Sequence, residues 1–383
     1  MMPCESAFSG YEVQGSAGNG TGSETARGIG GEGDYGLYEQ HWNSDIPFAA
    51  WQWWQASGNV TDLKLHLEPW LRGTAEFWAS RVETHKGHNG PVDGKYHVNH
   101  VMPPDEYVDG VDDAVLTNFG AATILRKAVL MAKAAGRKPG ANWTQIADKM
   151  FIQFDKERQY HPEYSGFVPG GNFSKGSTHD QHTVKQADVV LMGFPYDMKM
   201  KPSVRKNDLM IYANVTDPVS VAMTWGMFAV GWLEAAEYDR ADEAFRRGYA
   251  NIKPPFAVWT ETPSGGTVNF ITGAGGFLQS VVFGYGGLRL REDRLDVLPP
   301  PLPSGATNLT LNGLHYRGNK LKLEITSTRW SIRVLKRQAG ATNLDLCHLN
   351  GVHALKFGKT IENGRGVAAS IRPNGMCDMH TVR

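Results

Sequence analysis

The hydrophobic period changes once along this chain, and that change limits what it can fold into. From Trp42 to Ala250 apolar residues recur at helical spacing in Ile46 to Ser57, Leu63 to Glu83, Ala114 to Ala135, Trp143 to Met150, Asp217 to Tyr238 and Arg240 to Ala250. After Gly286 the pattern turns into short β-type runs, Asn308 to Leu314, Lys320 to Ser327 and Trp330 to Lys336, with Gly318-Asn319 suited to a tight turn. The two patterns demand different backbones, so the spacing predicts a mainly α region followed by a small antiparallel β domain. The expected divisions are a helical part over 1–286, a β-sheet domain over 287–345 entered through the stiff linker Pro299 to Pro303, and a weakly patterned tail over 346–383. Residues 10–34, rich in Gly, Ser, Thr and Asn, read as a flexible insertion with too few apolar anchors to offset its ordering entropy.

Composition narrows the function classes. With 41% hydrophobic residues in 383, the chain can bury a sizeable core. Its 39 basic residues balance 39 acidic ones, so no global field recruits nucleic acid or an anionic membrane. No unbroken run of eighteen apolar residues and no signal-peptide pattern is visible. Cys4, Cys347 and Cys377 lack the spacing of a zinc knuckle or a redox pair, so neither a metal site nor a disulfide framework is signalled. No cofactor is implied: Thr272-Gly273-Ala274-Gly275-Gly276 lacks the nucleotide-loop spacing and reads better as close helix packing. Six Asn-x-Ser/Thr sequons, at Asn19, Asn59, Asn142, Asn172, Asn214 and Asn308, could carry glycans and tilt the compartment towards secretory or lysosomal, with the cytoplasm left open.

The candidate chemistry sits in the long loops. Lys86 to Tyr107, Phe151 to Val184 and Ile252 to Gly273 hold many of the aromatic, acidic and proline residues, as expected where helices scaffold a cleft and loops line it. Met102-Pro103-Pro104-Asp105-Glu106-Tyr107 places two acids in a proline-stiffened loop, and Val258-Trp259-Thr260-Glu261-Thr262-Pro263 places a third between an aromatic and a proline. Two carboxyls on different loops are the minimum for acid/base cleavage of a glycosidic bond, although each is also compatible with an ordinary solvated loop. Lys185-Gln186-Ala187-Asp188 opens an apolar run where a long donor and an amide could grip hydroxyls, or simply cap a helix. Trp51, Trp53 and Trp54 read as core, and His97 and His100 read as structural because no third strong ligand stands near them.

The stretch from Tyr96 to Tyr107, running on to Asp112-Asp113-Ala114-Val115-Leu116-Thr117-Asn118, resembles the signature of glycoside hydrolase family 65. Further blocks agree in order: Glu39-Gln40-His41 with Trp51-Gln52-Trp53-Trp54-Gln55-Ala56, then Lys185-Gln186-Ala187-Asp188, then Val258-Trp259-Thr260-Glu261 with Phe270-Ile271-Thr272-Gly273. The resemblance implies an (α/α)6 barrel followed by a C-terminal β domain, and an inverting α-glucosidase acting on a glucoside or disaccharide such as the Glc-α-1,2-Gal unit on collagen hydroxylysine. It assigns Glu106 as general acid and Glu261 as general base, with Lys185 and Gln186 holding the terminal glucose. Asp105, Tyr107 and Trp259 would line the sugar site, and Glu5 would contact the second sugar. Acid trehalases and disaccharide phosphorylases of the same family are the rival activities. The early barrel helices of the family are missing here, so the resemblance also implies a chain that begins in mid-barrel, with a catalytically incomplete product as the alternative.

Overall fold

The computed structural model describes residues 38–87, 90–170, 182–349 and 351–377. The chain folds as two compact units, 1–51 with 60–220, and 52–59 with 221–383. The Gly-rich segment 10–34 and Glu5 lie outside the described residues.

The first unit is helical. Helix α1 spans Trp42–Ser57, of which the part up to Trp51 belongs to this unit, and a π-helical turn Leu63–Leu67 runs into α2, Glu68–Arg81. A β1–β2 hairpin, Glu83–His85 with Val92–His97, follows, its second strand inside the Lys86 to Tyr107 segment expected to be loop. Helix α3, Val115–Ala134, is the central element: 14 of its residues are buried, including Ile124, Leu125 and Met131. It is long and apolar enough to cross a membrane, but 78% of its apolar window is buried inside the protein, which marks it as a core helix. It packs against α2 and against α4, Trp143–Lys149. Gly136 ends α3 as its sequence suggests, with Arg137 N–H bonding back to Ala132 O at 2.7 Å.

Helix α5, Pro202–Val215, has no counterpart among the segments expected from periodicity. Its charged residues Arg205, Lys206 and Asp208 interrupt the apolar stripe, although Pro202 at its first turn is a recognised start signal. Arg205 and Asp208 are buried because each has a partner: Arg205 donates to Val190 O, and Asp208 accepts from His161. Of the three tryptophans read as core, Trp51 is 2% exposed but Trp53 is 57% exposed, because successive helix positions face different sides.

The second unit begins with α6, Thr224–Glu234, and α7, Tyr238–Gly248, which pack together. The expected helix from Asp217 therefore starts later. The segment from Ile252 to Gly273, expected as loop, instead contains a three-stranded sheet of β3 (Ile252–Lys253), β4 (Val258–Thr262) and β5 (Gly265–Val268). Helix α8, Ile271–Gln279, crosses α6 where two glycines face each other. A Cβ on Gly226 would come within 2.7 Å of Gly276 O, so the glycine run serves close helix packing.

The β part holds two antiparallel sheets. One has the order β13 (Thr360–Gly364), β10 (Arg329–Arg337), β9 (Asn319–Thr326), β8 (Asn308–Tyr316). The other runs β12 (Gly351–Ala354), β11 (Leu344–His348), β14 (Ala369–Pro373), β7 (Leu295–Val297), β6 (Leu288–Leu290). Alternation along β9 buries Leu321, Leu323 and Ile325 against Trp330, Ile332 and Val334 of β10 and Leu346 and Ile371 of the other sheet. The weakly patterned tail is thus strand-forming. Its edge strands β12 and β13 bury little, and β14 is buried along Ala369, Ser370, Ile371 and Arg372, so neither gives clean alternation. A Cys347–Cys377 disulfide joins β11 to the chain after β14, where the sequence signalled none; the two residues are 30 apart and only sheet pairing brings them together.

Candidate active site

The acid loop is pinched at its base. Val101 and Val111 exchange both backbone hydrogen bonds at 2.9 Å, and Met102, Pro103 and Pro104 are buried beneath it. The chain must turn at the tip, and Asp105 makes the turn by accepting Tyr107 N–H on Oδ1 at 3.1 Å, a local Asx-type bond.

Residues 184–188 dock on this turn. Val184 bridges to Thr216, and Ser220 Oγ donates to Lys185 O at 2.5 Å, which fixes the segment on the end of α5. From there Lys185 N–H donates to Asp105 Oδ1 at 2.7 Å, Gln186 Nε2 donates to Pro104 O at 2.6 Å, and Asp105 N–H donates to Asp188 Oδ2 at 3.2 Å. The two motifs clasp each other through main chain and carboxylates together. Their outer side chains converge: Lys185 Nζ lies 2.7 Å from Glu106 Oε2, and Gln186 Nε2 lies 3.4 Å from Glu106 Oε1. Glu106 and Lys185 are each about one-quarter exposed, so they are shielded yet reachable. Tyr107 turns aside and donates to Asp217 Oδ2 at 2.6 Å; burial and that carboxylate raise its pKa above the ordinary tyrosine range.

A cavity of about 350 Å³ opens beside this group, lined by Met102, Glu106, Tyr107, Val108, Asp109, Val111 and Tyr164. It sets two acids and two aromatic rings among aliphatic side chains, a lining suited to a ring with an apolar face and a polar rim.

Below the clasp lie three buried carboxyls, Asp105, Asp188 and Glu163, exposed by 0%, 2% and 0%. Burial pushes Asp105 up to about 7 against the pull of the Lys185 and Tyr107 N–H bonds. Burial and the neighbouring Asp105 push Asp188 up to about 7, and burial with both aspartates raises Glu163 well above the usual carboxyl range. On the far side His41 bridges Asp45 at 2.6 Å and Glu39 at 3.0 Å, while Tyr196 OH donates to Asp45 at 2.5 Å. Burial disfavours a charged His41 ring, but Asp45 and Glu39 outweigh it and hold its pKa up at about 10. Sequence pattern singled out neither Glu163 nor His41 as functional. Glu163 does stand between Pro162 and Tyr164, the same aromatic and proline context that drew attention to Glu261.

Among the expected site residues, Asp105, Glu106, Tyr107, Lys185 and Gln186 are therefore brought together in the first unit. Trp259 and Glu261 lie in the second, on β4. There Glu261 Oε2 accepts Thr267 N–H at 3.1 Å, and its carbonyl accepts Ala222 N–H and Asn251 Nδ2, each at 2.9 Å. Trp259 donates Nε1 to Gly248 O at 3.0 Å and packs against Phe277, so its ring is partly committed to the helices behind the strand. His97 hydrogen-bonds Asp113 and Asp93 and orders the approach to α3.

Residues 1–173 match the family model described as the glycosyl hydrolase family 65 central catalytic domain. Protein-glucosylgalactosylhydroxylysine glucosidase of Danio rerio is 38% identical over 350 residues, covering 90% of this chain and 50% of that protein. The enzyme of that name from Dictyostelium discoideum is 38% identical over 339 residues, covering 88% and 43%. A kojibiose hydrolase of Flavobacterium johnsoniae is 32% identical over 287 residues, covering 73% and 39%. A solved structure described as a kojibiose phosphorylase from the human microbiome shares the fold with a TM-score of 0.67 at 16% identity, covering 84% of this chain and 49% of that one. The chain spans about half the length of the curated relatives it matches. On these matches, with the order of the motifs, the chain belongs to glycosyl hydrolase family 65.

Proposed function

We propose that this chain belongs to an inverting α-glucosidase that removes the terminal glucose from Glc-α-1,2-Gal-O-hydroxylysine of collagen-type glycans. The observation that carries the reading is the contact of Glu106 with Lys185 and Gln186 at the mouth of a ring-sized cavity. A carboxyl so held can give its proton to a glycosidic oxygen when sugar hydroxyls take over the lysine and amide donors. Glu261 is the general base that activates water on the opposite face of the glucose, and inversion requires about 6.5–9.5 Å between the two carboxyls to admit that water. Helices over 1–286 make up part of an (α/α)6 barrel, and the β domain begins at 287.

The names of the relatives support this substrate class: glucosylgalactosylhydroxylysine for the Danio rerio and Dictyostelium discoideum proteins, kojibiose for the Flavobacterium johnsoniae one. Hydrolysis is favoured over phosphorolysis because Glu261-Thr262-Pro263 places a carboxylate where a phosphorylase leaves room for phosphate.

The test is glucose release from Glc-α-1,2-Gal-hydroxylysine with and without phosphate, with the product anomer read by NMR. Phosphate-independent release of β-glucose is expected, abolished by Glu106→Gln with glucose binding retained. A glucose phosphate product would assign a phosphorylase, and release from trehalose alone would assign a trehalase.

A further inference from the structure

Four carboxyl oxygens behind the acid loop share one buried space: Asp105 Oδ2, Asp188 Oδ1 and both oxygens of Glu163. No N–H or O–H donor among the described residues reaches any of them. Three carboxyls in such contact cannot all be ionised, and with no donor among the described residues the hydrogen between them is supplied by the carboxyls themselves. The remaining oxygens of the aspartates do have donors. Asp105 Oδ1 takes two backbone N–H bonds and Asp188 Oδ2 takes one, each of which favours the anionic form. Glu163 has none among the described residues and is fully buried, so it is where a proton rests at the lowest free energy.

We propose that Glu163 is a positioning residue for the acid Glu106: it carries a proton shared with Asp105 and Asp188, and that proton holds the clasp between the acid loop and the Lys185–Asp188 segment. This rests on the reading of Glu106 as the acid. Asp105 is the joint. One of its oxygens binds the backbone on either side of Glu106's contact with Lys185, and the other faces the buried cluster. Loss of the proton would leave neighbouring anions under the turn, push Asp105 outward and separate Lys185 from Glu106. The groups facing the cluster set when that happens: Glu106, Tyr107 and Lys185 on the Asp105 side, His41 and Asp45 beside Asp188, and Tyr212 of α5 beside Glu163. His41, held charged by its own acids, is the nearby cation on that side.

The test uses the full chain and compares Glu163→Gln, which keeps a hydrogen donor that cannot ionise, with Glu163→Leu, which keeps bulk and loses it. Infrared spectroscopy at about pH 8, above the range in which Asp105 and Asp188 hold protons of their own, should find a protonated, buried carboxyl stretch in the parent that disappears in Glu163→Gln. Its absence from the parent would overturn the proposal. With the glucosyl disaccharide, Glu163→Gln should keep kcat within about threefold and move the alkaline limb of the pH profile upward, while Glu163→Leu should lose about 10- to 100-fold in kcat with KM little changed. An unmoved alkaline limb in Glu163→Gln would also overturn it, whatever the fate of the leucine variant. If no form of the chain releases glucose, the reading of Glu106 is what fails, and the infrared result alone decides the proton.

Discussion

Lys185 and Glu106 stand 79 residues apart in sequence, and their charged atoms meet at 2.7 Å. The ion pair is partly exposed, so its own contribution to stability is small. On the proposed reading, its worth lies in placing an ammonium where a sugar hydroxyl would sit.

Lys185→Met should therefore weaken substrate binding more than folding. We expect KM to rise about tenfold or more, the scale of one hydrogen bond to a charged group, with the thermal midpoint almost unmoved. Steady-state kinetics on the disaccharide checks this, and an unchanged KM would remove Lys185 from the glucose site.

Gly266 supports Glu261 in a way no other residue could. Its φ is +84°, and a Cβ there would fall 2.8 Å from Glu261 Oε2 and 2.9 Å from its Cβ. Gly266→Ala should cost about 1 kcal/mol or more in stability and displace the carboxylate from Thr267 N–H. We expect kcat to fall while glucose affinity holds, as read by turnover alongside calorimetry. Full activity in this variant would mean that Glu261 can do its work from another rotamer or does none.

The buried acids give the chain an unusual pH dependence. Asp105 and Asp188 rise from 3.8 to about 7, so between those values the folded chain binds protons that the unfolded chain has released. Their contribution is complete below 3.8 and is lost as pH climbs through about 7. His41, raised from 6.5 to about 10, has the same sign in a higher window: its contribution is present below 6.5 and lost as pH rises through about 10. Urea midpoints should fall with pH across both windows, and Asp188→Asn should flatten the lower one. An identical slope in that variant would place the titration elsewhere.

The Cys347–Cys377 link closes a loop of 30 residues around β12, β13 and β14. Reduction, or Cys377→Ser, should destabilise the β part by about 2–4 kcal/mol. Denaturant unfolding followed by hydrogen exchange of the β9 and β10 backbone amides is a suitable readout, since these strands pair along the buried core of the β part. Coincident curves with and without reductant would show that the bond does not form in solution.

Local sequence determined the elements whose period was strong. Helix α7 and strand β9 were legible because a single face of each meets the core, so burial writes its spacing into the residues, whereas α3 was legible as a long apolar run. The motifs proposed to carry chemistry also stand out in the sequence, as acids set between proline and aromatic residues. Elements buried on several faces or stitched by polar partners left no such trace: α5 hides Arg205 and Asp208 by pairing them, and β14 is buried along four successive residues. The cooperation of Asp105, Glu163 and Asp188 belongs to the tertiary structure alone. Each is an ordinary carboxylate in its own segment, and only burial together, with too few donors to share, makes them hold a proton beneath Glu106.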